Sequence, residues 1–247
     1  MDLKRHRTGC AGMIALTMLS PVMARDASPP LPPPRPDRLE APAPGQNAVT
    51  MPRDMAPTEE TGMEDREASS ACLGRLAQRG VVFESRAPVQ EKGCGIEDPV
   101  LVSALPNGVA LAPASLMACP MAESLARWIA EVVAPEAERQ LQSVPVKLVV
   151  GTSYLCRDQR NGAKPSEHAF GNGVDVVGFE FGATAERISL DIAAQAENSP
   201  EANFQDAIRK AACPIFTTVL GPGADADHGD HLHLDLRQRK GGYRICQ

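Results

Sequence analysis

The sequence predicts an α+β domain, with a central antiparallel sheet and flanking helices, stabilised by three disulfides. Three observations point to it. Short valine-rich or alternating apolar segments read as strands, near residues 81–83, 100–105, 144–150, 174–176 and 231–236. Between them lie stretches whose apolar residues recur at helical spacing, near 72–77, 120–134 and 200–211. Six cysteines (Cys72, Cys94, Cys119, Cys156, Cys213 and Cys246) follow the N-terminal leader, an even number with no CxxC pair among them.

The chain of 247 residues opens with a leader. Lys4, Arg5 and Arg7 form a basic region and a mostly apolar run from Cys10 to Met23 follows, ending in Val22-Met23-Ala24. This is the pattern of a signal peptide over residues 1–24, cut before Arg25. The alternative is a membrane anchor, but the run contains Thr17, Ser20 and Pro21 and falls short of the roughly 20 apolar residues a span needs. Cys10 precedes most of the run, whereas a lipid-modified cysteine follows one. Residues 25–68 then read as a disordered, extended tether. Pro29, Pro30, Pro32, Pro33, Pro34 and Pro36 favour polyproline geometry, and large apolar residues are too few to offset the entropy of ordering.

The globular part, residues 69–247, starts with a short helix carrying Cys72, Leu73, Leu76 and Ala77 on one face, stopped by Gly80. Strands follow at 81–83 and 100–105. Pro120 suits the first turn of a helix whose core face holds Met121, Leu125, Trp128, Ile129, Val132 and Val133. Pro135 is expected to interrupt it, with helix resuming to Leu141. Val144 to Val150 is a buried strand running into Gly151-Thr152-Ser153-Tyr154. Ser199-Pro200 is an N-cap and first turn, opening a helix through Phe204, Ala207, Ile208 and Ala211.

Charge and cysteines narrow the partners. Formal charge is −6 for the chain and −8 once the leader is removed. With no basic stripe and only one Trp, two Tyr and six Phe, nucleic acid is not the expected partner. No segment after the leader is long and apolar enough to span a bilayer. The cysteines are expected as three disulfides in an exported protein, periplasmic or secreted. Their connectivity is open from sequence. Pairing the outer ones locally gives Cys72–Cys94 and Cys213–Cys246, which leaves Cys119–Cys156.

Chemistry concentrates in two segments. Apart from His6 in the leader, the histidines are His168, His228, His231 and His233. In 228–236, strand alternation turns His231, His233 and Asp235 to one face and Leu232, Leu234 and Leu236 to the other. The leucines belong to the core, so the histidines face a cleft. In 166–176, Gly171 and Gly173 allow a tight turn or close approach, and Val174 and Val176 flank Asp175, whose carboxylate points opposite to them. Two histidines and a carboxylate make a zinc ligand set with one tetrahedral position to spare, the arrangement of a catalytic site.

Residues 166–175 resemble the SxHxxGxAxD signature of the zinc peptidases that include D-alanyl-D-alanine dipeptidases, lysostaphin-type enzymes and the penicillin-insensitive murein endopeptidase. The departure is Gly173, where that pattern has Ala. His231-Leu232-His233 is similar to their second motif. The stretch from Cys72 to Cys246 also resembles the bacterial extensin-like C-terminal domain family, through Ser153-Tyr154-Leu155-Cys156-Arg157, Ser166-Glu167-His168-Ala169, Ala212 to Gly223, and His231-Leu232-His233-Leu234-Asp235. The resemblance implies a fold of the hedgehog and D-Ala-D-Ala peptidase type, with Zn2+ held by His168, Asp175 and His233. It implies His231 as the group facing the reacting water or the oxyanion and as first choice for proton transfer, with His228 second and Glu167 a weaker candidate. Arg157 matches the arginine that polarises the scissile carbonyl, where a fixed cation stabilises developing charge. The bland alternatives are an ion pair of Arg157 with Asp158 or Asp235, and loop capping by His228 and Asp230. Asp235 is either a partner orienting a histidine or a surface carboxylate.

The function expected is a zinc-dependent metallopeptidase cutting an amide bond in the peptide stem or cross-link of peptidoglycan. The rival is a non-catalytic, zinc-containing cell-wall module, since the hedgehog domain shares this ligand logic. A serine triad lacks its GxSxG elbow, and no phosphate-binding glycine loop occurs.

Overall fold

The computed structural model describes residues 59–247, apart from 161, 163 and 183–186. The expected signal peptide and residues 25–58 of the tether lie outside the described residues. Residues 59–68, the end of the stretch expected to be a tether, instead begin a long helix, α1 (Glu59–Gln78). The prolines stop at Pro57, and residues 59–68 are rich in Glu, joined by Met63, Arg66 and Ala68, all helix formers. Gly80, at φ +75°, turns the chain out of α1 as expected.

The remaining elements are β1 (Val82–Ser85), β2 (Val89–Glu91), β3 (Cys94–Ile96), β4 (Pro99–Leu105), β5 (Val109–Ala118), α2 (Cys119–Trp128), α3 (Ala134–Leu141), β6 (Pro145–Thr152), β7 (Gly173–Phe181), β8 (Ile188–Asp191), α4 (Pro200–Ala212), β9 (Thr218–Leu220), β10 (Leu232–Asp235) and β11 (Ile245–Cys246). The α+β class is as expected. Nine strands form one sheet in the order β1-β4-β5-β6-β7-β10-β9-β11, with β8 beside β7, while β2 and β3 form a separate hairpin. The sheet is mixed rather than wholly antiparallel, because β5 pairs with β6 and β9 with β11 in parallel. The parallel β5–β6 pair follows from its long helical connection, since a return to the same end of the sheet needs a crossover.

Helix spans the crossover without a break. Between α2 and α3, Ile129–Val133 takes π geometry, and the flanking residues keep right-handed helical angles. The interruption expected at Pro135 is therefore a π turn. A widened turn accommodates the proline, which has no amide hydrogen to give to the α-helical ladder. Ser199 caps α4 as predicted, its hydroxyl accepting from the Ala202 amide at 3.0 Å.

The core lies between these helices and the sheet. Trp128 is fully buried against Phe179 and Phe216, and its indole N–H donates to the Ile208 carbonyl at 3.1 Å. Phe204 of α4 meets Phe179 and Phe181 edge-on. On β7 both the Val174/Val176 pair and the Phe179/Phe181 pair face this core. Strict alternation forbids that, and the register shift against β6 near Val177 supplies the extra residue.

Three disulfides form, as expected from the count, but only one of the expected pairs occurs. Cys213–Cys246 is present, whereas Cys72 joins Cys119 and Cys94 joins Cys156. Proximity along the chain misleads here. α1 packs against the start of α2, and the β2–β3 hairpin folds over the loop after β6, so each cysteine meets its spatial neighbour. Among the described residues no helix is long and apolar enough to cross a membrane.

Candidate metal centre

β7 and β10 are antiparallel neighbours with His233 directly opposite Asp175. Their flanking residues, Leu232 against Val176 and Leu234 against Val174, are buried on the core side. The alternation expected from the sequence therefore operates on two adjacent strands at once, and the imidazole and carboxylate emerge together on the opposite face.

His168 arrives from a different element. It sits in a 3-10 turn, Glu167–Phe170, whose N-cap Ser166 accepts from the His168 amide and whose exit is Gly171 at φ +64°. Gly171 also passes so close to β5 that an added Cβ would stand 2.7 Å from the Ala118 nitrogen. At Gly173, an added Cβ would press to 3.4 Å on the His168 ring. Both glycines thus serve the close approach that the sequence predicted.

The ring nitrogens are oriented from outside. His168 Nδ1 lies 2.7 Å from the Ser153 carbonyl oxygen, so Nδ1 carries the proton and Nε2 a lone pair. His233 Nε2 is 3.1 Å from Asp235 Oδ2 and donates to it, which leaves Nδ1 facing inward. His168 Nε2 and His233 Nδ1 then stand 3.2 Å apart, and they lie 3.2 Å and 2.8 Å from Asp175 Oδ1. Three electron-pair donors converge on one point, with His168 fully buried. Such an arrangement calls for a cation or a shared proton between the donors.

Burial and pairing set the protonation states. Burial alone would raise the Asp175 carboxyl, but the adjoining His168 and His233 imidazoles outweigh it and hold the group well below the usual carboxylate range. Burial alone would lower His233; its two carboxylate partners, Asp175 and Asp235, instead push it up to about 9. Asp235 is similarly held below its ordinary value, against burial, by His233 and Thr218. Without a cation, His233 therefore carries the proton that separates these groups at neutral pH.

The other two histidines join the cluster. His231 Nδ1 contacts Asp230 at 2.9 Å, and its Nε2 lies 3.8 Å from Asp175 Oδ1. The His228 ring stands 5.1 Å from that of His231 and 5.9 Å from that of His233. Its Nδ1 is held by Asp225, which also accepts from the Asp227 and His228 amides. Loop capping is thus the work of Asp225, a residue not singled out from sequence, while Asp230 orients His231.

A cleft of about 380 Å³ opens over these side chains and also takes in Arg157, Glu167, Arg237 and Arg239. Arg157 lies in the loop after β6, five residues past the strand. This loop is tied to the His168 segment through Leu155 N to His168 O and Ser166 N to Arg157 O. Among the described residues the Arg157 guanidinium forms no ion pair with Asp158 or Asp235; its one side-chain hydrogen bond is to the Asp158 carbonyl at 3.4 Å. Asp235 is no surface carboxylate, being 5 % exposed and bound to His233. The Ser153 carbonyl and Arg237 were not anticipated. A backbone acceptor has no sequence signal, but Arg237 continues the alternation of His231, His233 and Asp235.

The comparisons agree with the sequence on family. Residues 70–247 match the family described as Extensin-like protein C-terminus. No curated protein and no solved structure matches the chain. A disulfide-bonded α+β domain with a clustered His/Asp centre is thus the class that fold and site define. The chain belongs to the Extensin-like C-terminal family, whose match spans the whole sheet and every residue of that centre.

Proposed function

We propose that this protein is an exported, zinc-dependent hydrolase that cuts an amide bond in the peptide stem or cross-link of peptidoglycan. The observation that carries the reading is the convergence of His168 Nε2, His233 Nδ1 and Asp175 Oδ1, with both outer ring nitrogens already engaged. Ligand atoms at about 2.1 Å from a tetrahedral ion stand about 3.4 Å apart. Donors 2.8–3.2 Å from one another fit that set after a small outward movement. Imidazole and carboxylate are ordinary zinc ligands, and three protein ligands beside an open cleft suit a catalytic rather than a structural ion. A zinc ion held there would supply a Lewis acid and an acidified water near neutral pH.

The chain's own residues would do the rest. His231, oriented by Asp230, turns Nε2 toward Asp175 and is the first candidate to take a proton from the attacking water and return it to the leaving amine. His228 is the second. Arg157 lines the same cleft without a carboxylate partner among the described residues, available to developing negative charge. Three disulfides suit an oxidising compartment, and hence export to the periplasm or beyond.

The decisive experiment incubates the zinc-loaded chain with purified peptidoglycan and analyses the released muropeptides, beside His231→Ala and Asp175→Ala variants. Release by the native protein alone is expected. Identical profiles for all three would identify a zinc-containing cell-wall module without turnover, and metal analysis finding no zinc after chelator-free purification would remove the site.

A further inference from the structure

The cleft over the histidine cluster sets four arginines beside four carboxylates, Glu167, Asp175, Asp227 and Asp235. Four arginines line it, at 157, 160, 237 and 239. Two are committed elsewhere. Arg160 pairs with Asp227, and Arg239 donates to the Thr217 carbonyl at 3.0 Å and the Thr218 hydroxyl at 2.7 Å. Arg157 and Arg237 form no ion pair among the described residues, and the Arg237 side chain makes no hydrogen bond there either. Of the four carboxylates of the cleft, Asp175 and Asp235 are engaged by histidine and Asp227 by Arg160, while Glu167 stands in the field of Arg237 and Arg239 without an ion pair to either among the described residues.

Arg237 owes its place to strand alternation. The ladder of β10 extends one step past Asp235, where the Leu236 amide donates to Asn172 O at 3.1 Å and the Leu236 side chain packs on the core. Arg237 is therefore turned to the face of His231, His233 and Asp235. It stands four residues beyond His233, about 13 Å along an extended chain. A substrate peptide lying along the cleft with its reacting bond at the histidine cluster would bring a group a few residues away to Arg237.

We propose that Arg237 is a specificity-determining residue that binds a carboxylate of the peptide substrate, a few residues from the bond that reacts. This rests on the peptide-hydrolase reading above. A guanidinium that forms no ion pair or side-chain hydrogen bond among the described residues, in a concave, partly buried site, recognises a carboxylate through paired, charge-assisted hydrogen bonds, and a neutral amide satisfies it poorly. The carboxylate can belong to an acidic side chain or to the end of the peptide.

The test is calorimetric titration of the full zinc-loaded chain with a synthetic tetrapeptide stem bearing a free isoglutamate carboxylate and a free C-terminus. Two further probes carry an amide at one or the other position. Amidation at one of the two is expected to weaken binding about 10-fold or more, identifying which carboxylate is read. Arg237→Gln should weaken the free peptide to the same extent and become indifferent to that amidation, with Arg237→Lys in between. Discrimination that survives in Arg237→Gln overturns the proposal, as does a native protein that binds all three probes alike or none. Peptidoglycan turnover measured on the same preparations separates the two readings. Discrimination without muropeptide release leaves Arg237 in its role and removes hydrolysis. Release without discrimination removes the role of Arg237 alone.

Discussion

His233 is the residue on which the centre turns, because it lies between two carboxylates. Its proton, held up to about 9, occupies the place that a metal ion would take. Zinc binding at pH 7 should therefore release close to one proton from His233, read as the dependence of the titration heat on buffer ionisation enthalpy. Apparent zinc affinity should rise from pH 6 toward 9 and level off above it. The same shift has a stability sign. A raised histidine pKa stabilises the metal-free fold fully below about 6.5, its ordinary value, and that contribution is lost as pH rises through about 9. Melting temperatures of chelator-treated protein should accordingly fall across that window, and those of zinc-loaded protein should not show the same loss. Asp235 reaches the metal position through His233, while its Oδ1 accepts from the Arg237 amide at 3.0 Å. Asp235→Asn should weaken zinc about 10–100-fold in a chelator competition while secondary structure is retained, because the tautomer of His233 is no longer imposed.

At the scale of elements, the centre depends on two loops being held against a rigid strand pair. Gly171 ends the 3-10 turn in the left-handed region and grazes β5. Gly171→Ala combines backbone strain with a clash at the Ala118 nitrogen and should cost about 1–3 kcal/mol in urea unfolding. It should also weaken zinc, since His168 rides on the same turn. The loop bearing Arg157 is anchored by Cys94–Cys156 to the β2–β3 hairpin. Replacing both cysteines with serine should cost about 2–4 kcal/mol. Muropeptide release should fall more than zinc binding, because the neighbouring Arg157 is set loose while β7 and β10 keep their register.

Across the whole molecule, residues far apart in sequence build one site: His168 from a turn, Asp175 from mid-sheet and His233 from near the C-terminus. Much of it was legible beforehand. Periodicity located the strand carrying His233 and the helices around Trp128 and Phe204, since burial of one face leaves its period in the sequence. Concentration of the four histidines after His6 in two segments marked the region, and leucine alternation in the second gave the direction it faces, while the choice of His168, Asp175 and His233 as a set came from the family resemblance. Local chemistry of this kind acts over a few residues and is written there. The disulfide partners, the parallel β5–β6 pairing, the π turn before Pro135 and the tautomer set by the Ser153 carbonyl were decided only by the tertiary structure. Each depends on which distant backbone or side chain comes alongside, and short-range pattern carries no record of that. Pairing of Asp175 with His233 at one register position belongs to both. Alternation dictates the face on each strand, and only the folded sheet brings the two strands side by side.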